Sequence, residues 1–447
     1  MFDRNLFELF KTEQTWKFKK SKRSRLGRID ESKGRIEVEL VYKKGTPKDL
    51  PTFGDEMYAV IKPHYRLTLS NPFNISSTTS GIENRVKASY TSSLITLQFF
   101  SSKKYPDMLN NLIVNSPILN RWLAVDKTVF QYATKQLADT ELTTINVDLD
   151  SMKLKLSVDA GINSDKYELN VYNSNNIRLD FSKPVSFWSA RMKIKRIEDF
   201  LSLVGPVPHN EISFTNNEGG DIANGNFLVR QYLLPNQPKD NLIKNVRESE
   251  LLFSYHDLNN ISQVIKIWFT EYENLEPVIE NLMFVKTQGL TEKSKFLTYV
   301  NSLEILHTKF FDEPKISENE YNDKKTRLLK SVADQDKEFI ENALEYSKRL
   351  TLLTRLKKLR DFSVGVGCKR IENKELVKVV NTRNNMIHSS DYGFSEILHE
   401  YELHGLNVTL AHYLKSNLLR VISVNEADLR KIVKSSFQFQ DFYRDGR

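Results

Sequence analysis

Hydrophobic and polar positions alternate through the first half of the chain, with clear alternating stretches at Arg35 to Tyr42, Met152 to Val158, Tyr167 to Tyr172 and Phe227 to Leu233. Clusters of Asn, Ser, Gly and Asp separate them, so each stretch reads as a strand with one buried face. No parallel strand-helix-strand rhythm is visible. After Pro238 the period changes from two to that of a helix, and Gly and Pro become scarce. The spacing predicts helices over Glu292 to Phe311 and over Asp334 to Arg360, the second opening on Asp334 as its N-cap. A third runs over Glu375 to Ile387, with Leu376, Val379, Val380 and Ile387 on its apolar side, and a last long helix follows. Gly365 to Cys368 reads as the loop before the third helix and Ser389 to Gly393 as the turn after it. The expectation is an α+β protein: a β-rich region over residues 1–240, with an internal division near 140, and a bundle of four or five helices over 241–447.

Length and composition set outer bounds. At 447 residues, 40% of them hydrophobic, the chain can bury more than one core. No apolar run approaches the ~20 residues that span a bilayer, and Met1 to Lys20 is charged, without a signal-peptide core. No membrane association and a cytoplasmic location are expected. Cys368 is the single cysteine, which excludes an internal disulfide and a cluster of thiolate ligands. A net charge of +8 suits a polyanionic partner but is modest over this length. The densest basic run is Lys17, Lys19, Lys20, Lys22, Arg23, Arg25 and Arg28. It reads as a solvated strand edge that resists sheet-to-sheet pairing, with a phosphate-tracking surface as the competing reading.

The residues able to carry chemistry lie close together near the C-terminus: Arg383, Asn384, then His388. On a helix Asn384 and His388 share a face, and the long Arg383 side chain reaches the same side. Metal-independent RNA cleavage needs a cation on the scissile phosphate and a group that moves protons near neutral pH, which Arg and His supply. The same residues also fit a helix end with a solvated arginine and a histidine favouring the negative end of the helix dipole. The local pattern leaves both readings open. Other constellations are weaker. His404 falls one residue too late after His399 and Glu400 to complete a zinc-protease helix. His307 and His412 are lone histidines on helices, read as packed or surface residues. Asp148 and Asp150 imitate a calcium loop, but Ser151 and Ser157 stand where glycine and a bidentate glutamate are needed, so strand is the better reading. Gly365-Val366-Gly367 lacks a third glycine, and no P-loop occurs, so nucleotide-driven work is not expected. Trp16, Trp188 and Trp268 could stack on bases, though core packing is the commoner fate of tryptophan.

Several segments together carry a family resemblance: Arg66-Leu67-Thr68-Leu69 before Asn71-Pro72-Phe73, Leu119 to Leu123 with Trp122, Phe200 to Leu203, Ser302-Leu303-Glu304, and Arg383-Asn384 with His388. In this order they resemble the ApeA-like HEPN proteins, bacterial anti-phage defence factors with a β-rich N-terminal region and a C-terminal HEPN helical bundle. Met1 to Gly34 departs from the glycine and tryptophan pattern often seen at that family's extreme N-terminus. The resemblance implies a metal-independent endoribonuclease of abortive infection with Arg383, Asn384 and His388 as its catalytic set. It further implies RNA as substrate, tRNA in particular, a homodimer formed through the HEPN domain, a trigger of phage origin, and neither cofactor nor metal. Glu304 would support the site by a hydrogen bond to Arg383 or Asn384. The competing function is a catalytically silent HEPN module that binds RNA, a nucleotide or a partner protein.

Overall fold

The computed structural model describes residues 14–18, 24–30, 37–43, 56–60, 65–70, 73–80, 85–91, 94–99, 108–115, 117–122, 140–164, 169–205, 211–216, 225–230, 250–345, 349–388 and 397–440. The chain divides into two compact units, Met1–Glu248 and Ser249–Arg447.

In the first unit the fourteen described strands form one antiparallel sheet, running from Thr140–Leu149 at one edge to Phe73–Ser80 at the other. Alternation drives it: Trp16, Val38, Leu40, Met57, Ala59 and Leu69 are fully buried, whereas Lys17 and Arg28 are exposed. Gly27 is required by close approach, because a Cβ there would stand 2.6 Å from Leu40 Cδ2 and 2.9 Å from Trp16 Cδ1. Asp148 lies in a hairpin strand opposite Lys153, with Leu149 opposite Met152. Among the described residues two helices interrupt the strands, α1 (Pro117–Trp122) and α2 (Phe187–Val204). Ser186 caps α2 by accepting from Ser189 N at 3.2 Å. Trp122 meets Phe200 edge to face at 5.5 Å, so two of the segments that carry the family resemblance pack on each other.

One expectation about this region fails. The described part of the basic run lies on strands Gln14–Phe18 and Ser24–Asp30, and each is paired on both sides. It is therefore no sheet edge. Alternation reports which face of a strand is buried but carries no information on its lateral neighbours. Lys19, Lys20, Lys22 and Arg23 lie outside the described residues.

The second unit is helical. It contains α3 (Ile261–Thr287), α4 (Glu292–Phe310), α5 (Glu318–Lys330), α6 (Lys337–Glu345), α7 (Leu352–Gly365), α8 (Asn373–His388), α9 (Glu400–Val421) and α10 (Glu426–Ser435). This exceeds the expected four or five. The single helix expected over Asp334 to Arg360 is instead a 3-10 turn at Asp334–Asp336 followed by α6 and, separately, α7. Thr351 starts α7 as a new helix, its hydroxyl accepting from Thr354 N at 3.3 Å. Apolar spacing on both sides of the break disguised it. Asp334 is no N-cap but the first residue of the turn. The helix α9 is buried almost all round from Asn407 to Leu419, the signature of a central helix. The other helices lay their apolar stripes against it or against each other. Ser389 to Gly393, expected as a turn, lies outside the described residues.

Candidate active site

The helix that carries the motif is positioned by a polar lock in the bundle core. Ser363 on α7 and Ser416 on α9 share a hydrogen bond of 2.8 Å, and Asn417 donates to Ser363 Oγ at 2.8 Å and to Leu359 O at 3.1 Å. Tyr413 reaches the loop that follows α7, donating to Lys369 O at 2.7 Å and accepting from Ile371 N at 2.9 Å. Arg360 completes it by donating to Ile371 O at 3.1 Å and to Asn373 Oδ1 at 2.7 Å, at the first residue of α8. Apart from Asn417 Oδ1, which has no partner among the described residues, these buried groups are paired across α7, the loop and α9, which sets where α8 begins. Gly367 turns that loop with a φ of 110°, a conformation glycine adopts without strain. Cys368 is packed in the same place, and burial pushes its thiol up to about 11. It is a core thiol, unsuited to act as a nucleophile.

From this start α8 buries Leu376, Val379 and Thr382. Thr382 Oγ1 accepts from Leu398 N at 2.8 Å, tying the helix to the chain just before α9. Ile387, expected on the apolar side, is half exposed at 50%. Its place near the helix end carries it past the neighbouring helices that cover the earlier turns. Arg383 is a quarter exposed and makes two contacts. Its Nη2 lies 3.1 Å from Glu304 Oε2 on α4, and its Nη1 donates to Asn384 Oδ1 at 3.1 Å. Guanidinium carries five N–H donors, so several stay available to an incoming oxyanion.

Glu304 is shared between two arginines. Its other oxygen lies 3.6 Å from Arg355 Nη1 on α7, and Arg355 also donates to Thr308 Oγ1 at 2.8 Å and lies 3.7 Å from Asp312. Arg355 is 7% exposed, and its charge is offset by these two carboxylates. A buried, paired cation behind the carboxylate fixes Glu304, and Glu304 in turn aims Arg383. Arg355 was not singled out in the sequence, because nothing in the pattern of α7 separates it from Arg360 or Lys358. His388 is the last residue of α8. Its side chain lies outside the described residues, so the structure brings together Arg383, Asn384 and Glu304 and places His388 by its backbone alone, one turn beyond Asn384.

The other sequence candidates separate. His399 precedes α9 and stacks on Tyr401, while His404 Nδ1 lies 3.7 Å from Glu292. Among the described residues no group of three or more His, Cys, Asp or Glu is arranged to hold a metal ion. His307 and His412 are buried. Trp16 and Trp268 are fully buried and have no face to offer a base; the side chain of Trp188 lies outside the described residues. Among the described residues no helix is long and apolar enough to cross a membrane.

The family model for Apea-like HEPN matches residues 297–428, and that for ApeA N-terminal domain 1 matches residues 28–268, more than half of the chain. The chain belongs to the ApeA-like HEPN family. It is by that membership a HEPN-type protein of anti-phage defence. Glu304, Arg355, Arg383, Asn384 and His388 all fall inside the HEPN match, and the N-terminal match starts only at 28, near the end of the stretch that departs from the family pattern. The N-terminal match ends within α3, some way past the division at Glu248, so the family boundary and the packing boundary of this ApeA-like protein differ. The division by packing is the physical one, since α3 buries its apolar face within the helical unit. No curated protein and no solved structure matches the chain.

Proposed function

We propose that the HEPN unit is a metal-independent endoribonuclease that cuts RNA during phage infection, with Arg383, Asn384 and His388 as its catalytic residues. The observation that carries this reading is the guanidinium of Arg383, held by Glu304 and Asn384 yet still partly exposed, on the same helix that ends in His388. A cation so held is preorganised for a phosphate, and preorganised charge costs no rearrangement in the transition state.

The substrate's 2′-hydroxyl attacks the adjacent phosphorus. A P–O bond forms to O2′, the P–O5′ bond breaks, and the products are a 2′,3′-cyclic phosphate and a 5′-hydroxyl. DNA lacks this nucleophile. The imidazole of His388 takes the 2′-hydroxyl proton or returns one to the leaving O5′, roles worth about 10²- to 10⁴-fold each. Arg383 binds the non-bridging oxygens and offsets the charge that grows on them. The amide group of Asn384 accepts from Arg383 through its oxygen, which leaves its nitrogen to donate to the phosphate or to His388. One motif histidine per chain leaves either the acid or the base role unfilled, so two chains pair through their HEPN units and two copies of His388 divide the roles. The family resemblance favours tRNA as substrate and a phage-derived trigger, with the protein acting in the cytoplasm where such RNA is found.

The test incubates purified wild-type, Arg383→Ala and His388→Ala protein with total bacterial RNA in excess EDTA, and maps the fragment ends. Cleavage by wild type alone, leaving cyclic phosphates, is expected. Equal cutting by the variants, or a requirement for divalent metal, would overturn the assignment. RNA retained but uncut by wild type with trigger supplied would favour the silent binding module.

A further inference from the structure

Beside the candidate active site, along α4, lies a cleft of about 570 Å³ lined by residues of α4, α7 and the end of α9. That volume suits a single nucleotide. Glu304, His307 and Thr308 follow one face of α4 at helical spacing and Phe311 is its C-cap, so the cleft begins one turn from the carboxylate that holds Arg383 and reaches Phe311 about 10 Å along the axis from Glu304. Arg355 joins the two places, contacting both Glu304 and Thr308.

The charges in the cleft are unevenly satisfied. Its three carboxylates each have a cation: Asp312 has Arg355 at 3.7 Å, Glu313 has Lys358 at 2.8 Å, and Asp361 has Arg360 at 2.8 Å. Arg420 has no carboxylate partner among the described residues. Its guanidinium carbon sits over two rings, 4.6 Å from the Phe311 centroid and 4.4 Å from that of Phe362. Those contacts hold the group in place without consuming its N–H donors. In the wall, His307 is fully buried, and neither ring nitrogen has a hydrogen-bond partner. Leaving a buried imidazole unpaired costs free energy. Burial, and next the charge of Arg355, holds His307 below the usual histidine range, so at neutral pH it offers one donor and one acceptor.

We propose that this cleft binds a phosphate-bearing nucleotide next to the one cut, with Arg420 receiving the phosphate and the buried His307 backing the wall. The proposal rests on the ribonuclease reading for its RNA source, but the phosphate chemistry of Arg420 stands by itself. It makes the cleft a specificity determinant, since the nucleotide held here sets the register of the strand across Arg383.

The experiment measures binding, not cutting, on the full-length chain. Wild type, Arg420→Met and Arg420→Ala are titrated with a 2′-O-methyl RNA dodecamer, which cannot supply the attacking hydroxyl, with the four nucleoside monophosphates, and with inorganic phosphate. Arg420→Met keeps a long side chain over Phe311 and Phe362 while removing the charge, and its melting temperature is expected to match wild type. Binding of the dodecamer should weaken about ten-fold or more in both variants, and the slope of log affinity against log salt should fall by about one. Unchanged dodecamer affinity in a folded Arg420→Met variant would overturn the subsite while leaving the nuclease reading intact. Wild type that binds monophosphates or phosphate through Arg420 but no dodecamer would support the phosphate site and assign it to a free small molecule, with the RNA reading the one that fails. Wild type that binds none of the three probes would overturn the proposal.

Discussion

Arg383 has its geometry set by a residue seventy-nine positions away in the chain, Glu304. That carboxylate is itself held by a nearly buried arginine, Arg355. The chain Arg355, Glu304, Arg383 leads from core to surface, and the charge at its outer end is the one proposed above to meet a phosphate. Glu304→Gln keeps the shape and one acceptor but removes the charge that aligns both arginines. Its cleavage rate is expected to fall about ten-fold, with the loss in single-turnover rate exceeding any change in the affinity for a non-cleavable RNA. Melting is expected to fall by a few degrees at most, because the nearly buried Arg355 loses one of its two carboxylates but keeps Asp312 and Thr308. A rate equal to wild type would remove Glu304 as a positioning residue. At this scale Arg383, Asn384 and His388 were legible as a motif, and Glu304 through the segment that resembles the family. Arg355 was not, because its role is a contact between helices that no spacing within α7 encodes.

The motif helix is placed by the loop before it. Tyr413 closes that loop onto α9 through Lys369 O and Ile371 N, and burial holds the Tyr413 hydroxyl up at about 12, so it stays a donor across the physiological range. Tyr413→Phe keeps the ring and strands both backbone groups. The expected cost is about 1–3 kcal/mol in unfolding free energy, with faster hydrogen exchange at the Ile371 amide and reduced cleavage through misplacement of α8. Exchange at Ile371 unchanged from wild type would show that the lock does not position the helix. The element scale also holds the clearest failures of sequence reading. Asp334 to Arg360 was periodic enough to pass for one helix, yet it opens on a 3-10 turn and a new helix starts at the Thr351 cap. Ile387 matched the apolar spacing of α8 and yet faces solvent, because periodicity assigns a face to a helix but not how far its neighbours extend along it.

At the scale of the whole molecule, the chain is two units, each with buried apolar side chains of its own. The helical unit holds all of the candidate active site and its supporting lock. A fragment of residues 249–447 is therefore expected to fold alone, with a single cooperative thermal transition followed by circular dichroism. A broad, non-cooperative transition would mean that the helical unit relies on the β-rich region for its stability. The division at Glu248 separates described strands that bury alternate residues from described helices that bury a stripe.

The sequence by itself determined the class of each region, since periods of two and of 3.6 follow directly from strand and helix geometry. It also placed Arg383, Asn384 and His388 together near the end of one helix, because residue types and their spacing on a helix are local properties. Tertiary structure alone decided which strands lie inside the sheet, and so denied the basic run an edge. It alone brought Glu304 and Arg355 to Arg383 and set Arg420 over two rings with no carboxylate partner among the described residues. These are relations between residues far apart in the chain, and only the packing that brings their elements together creates them.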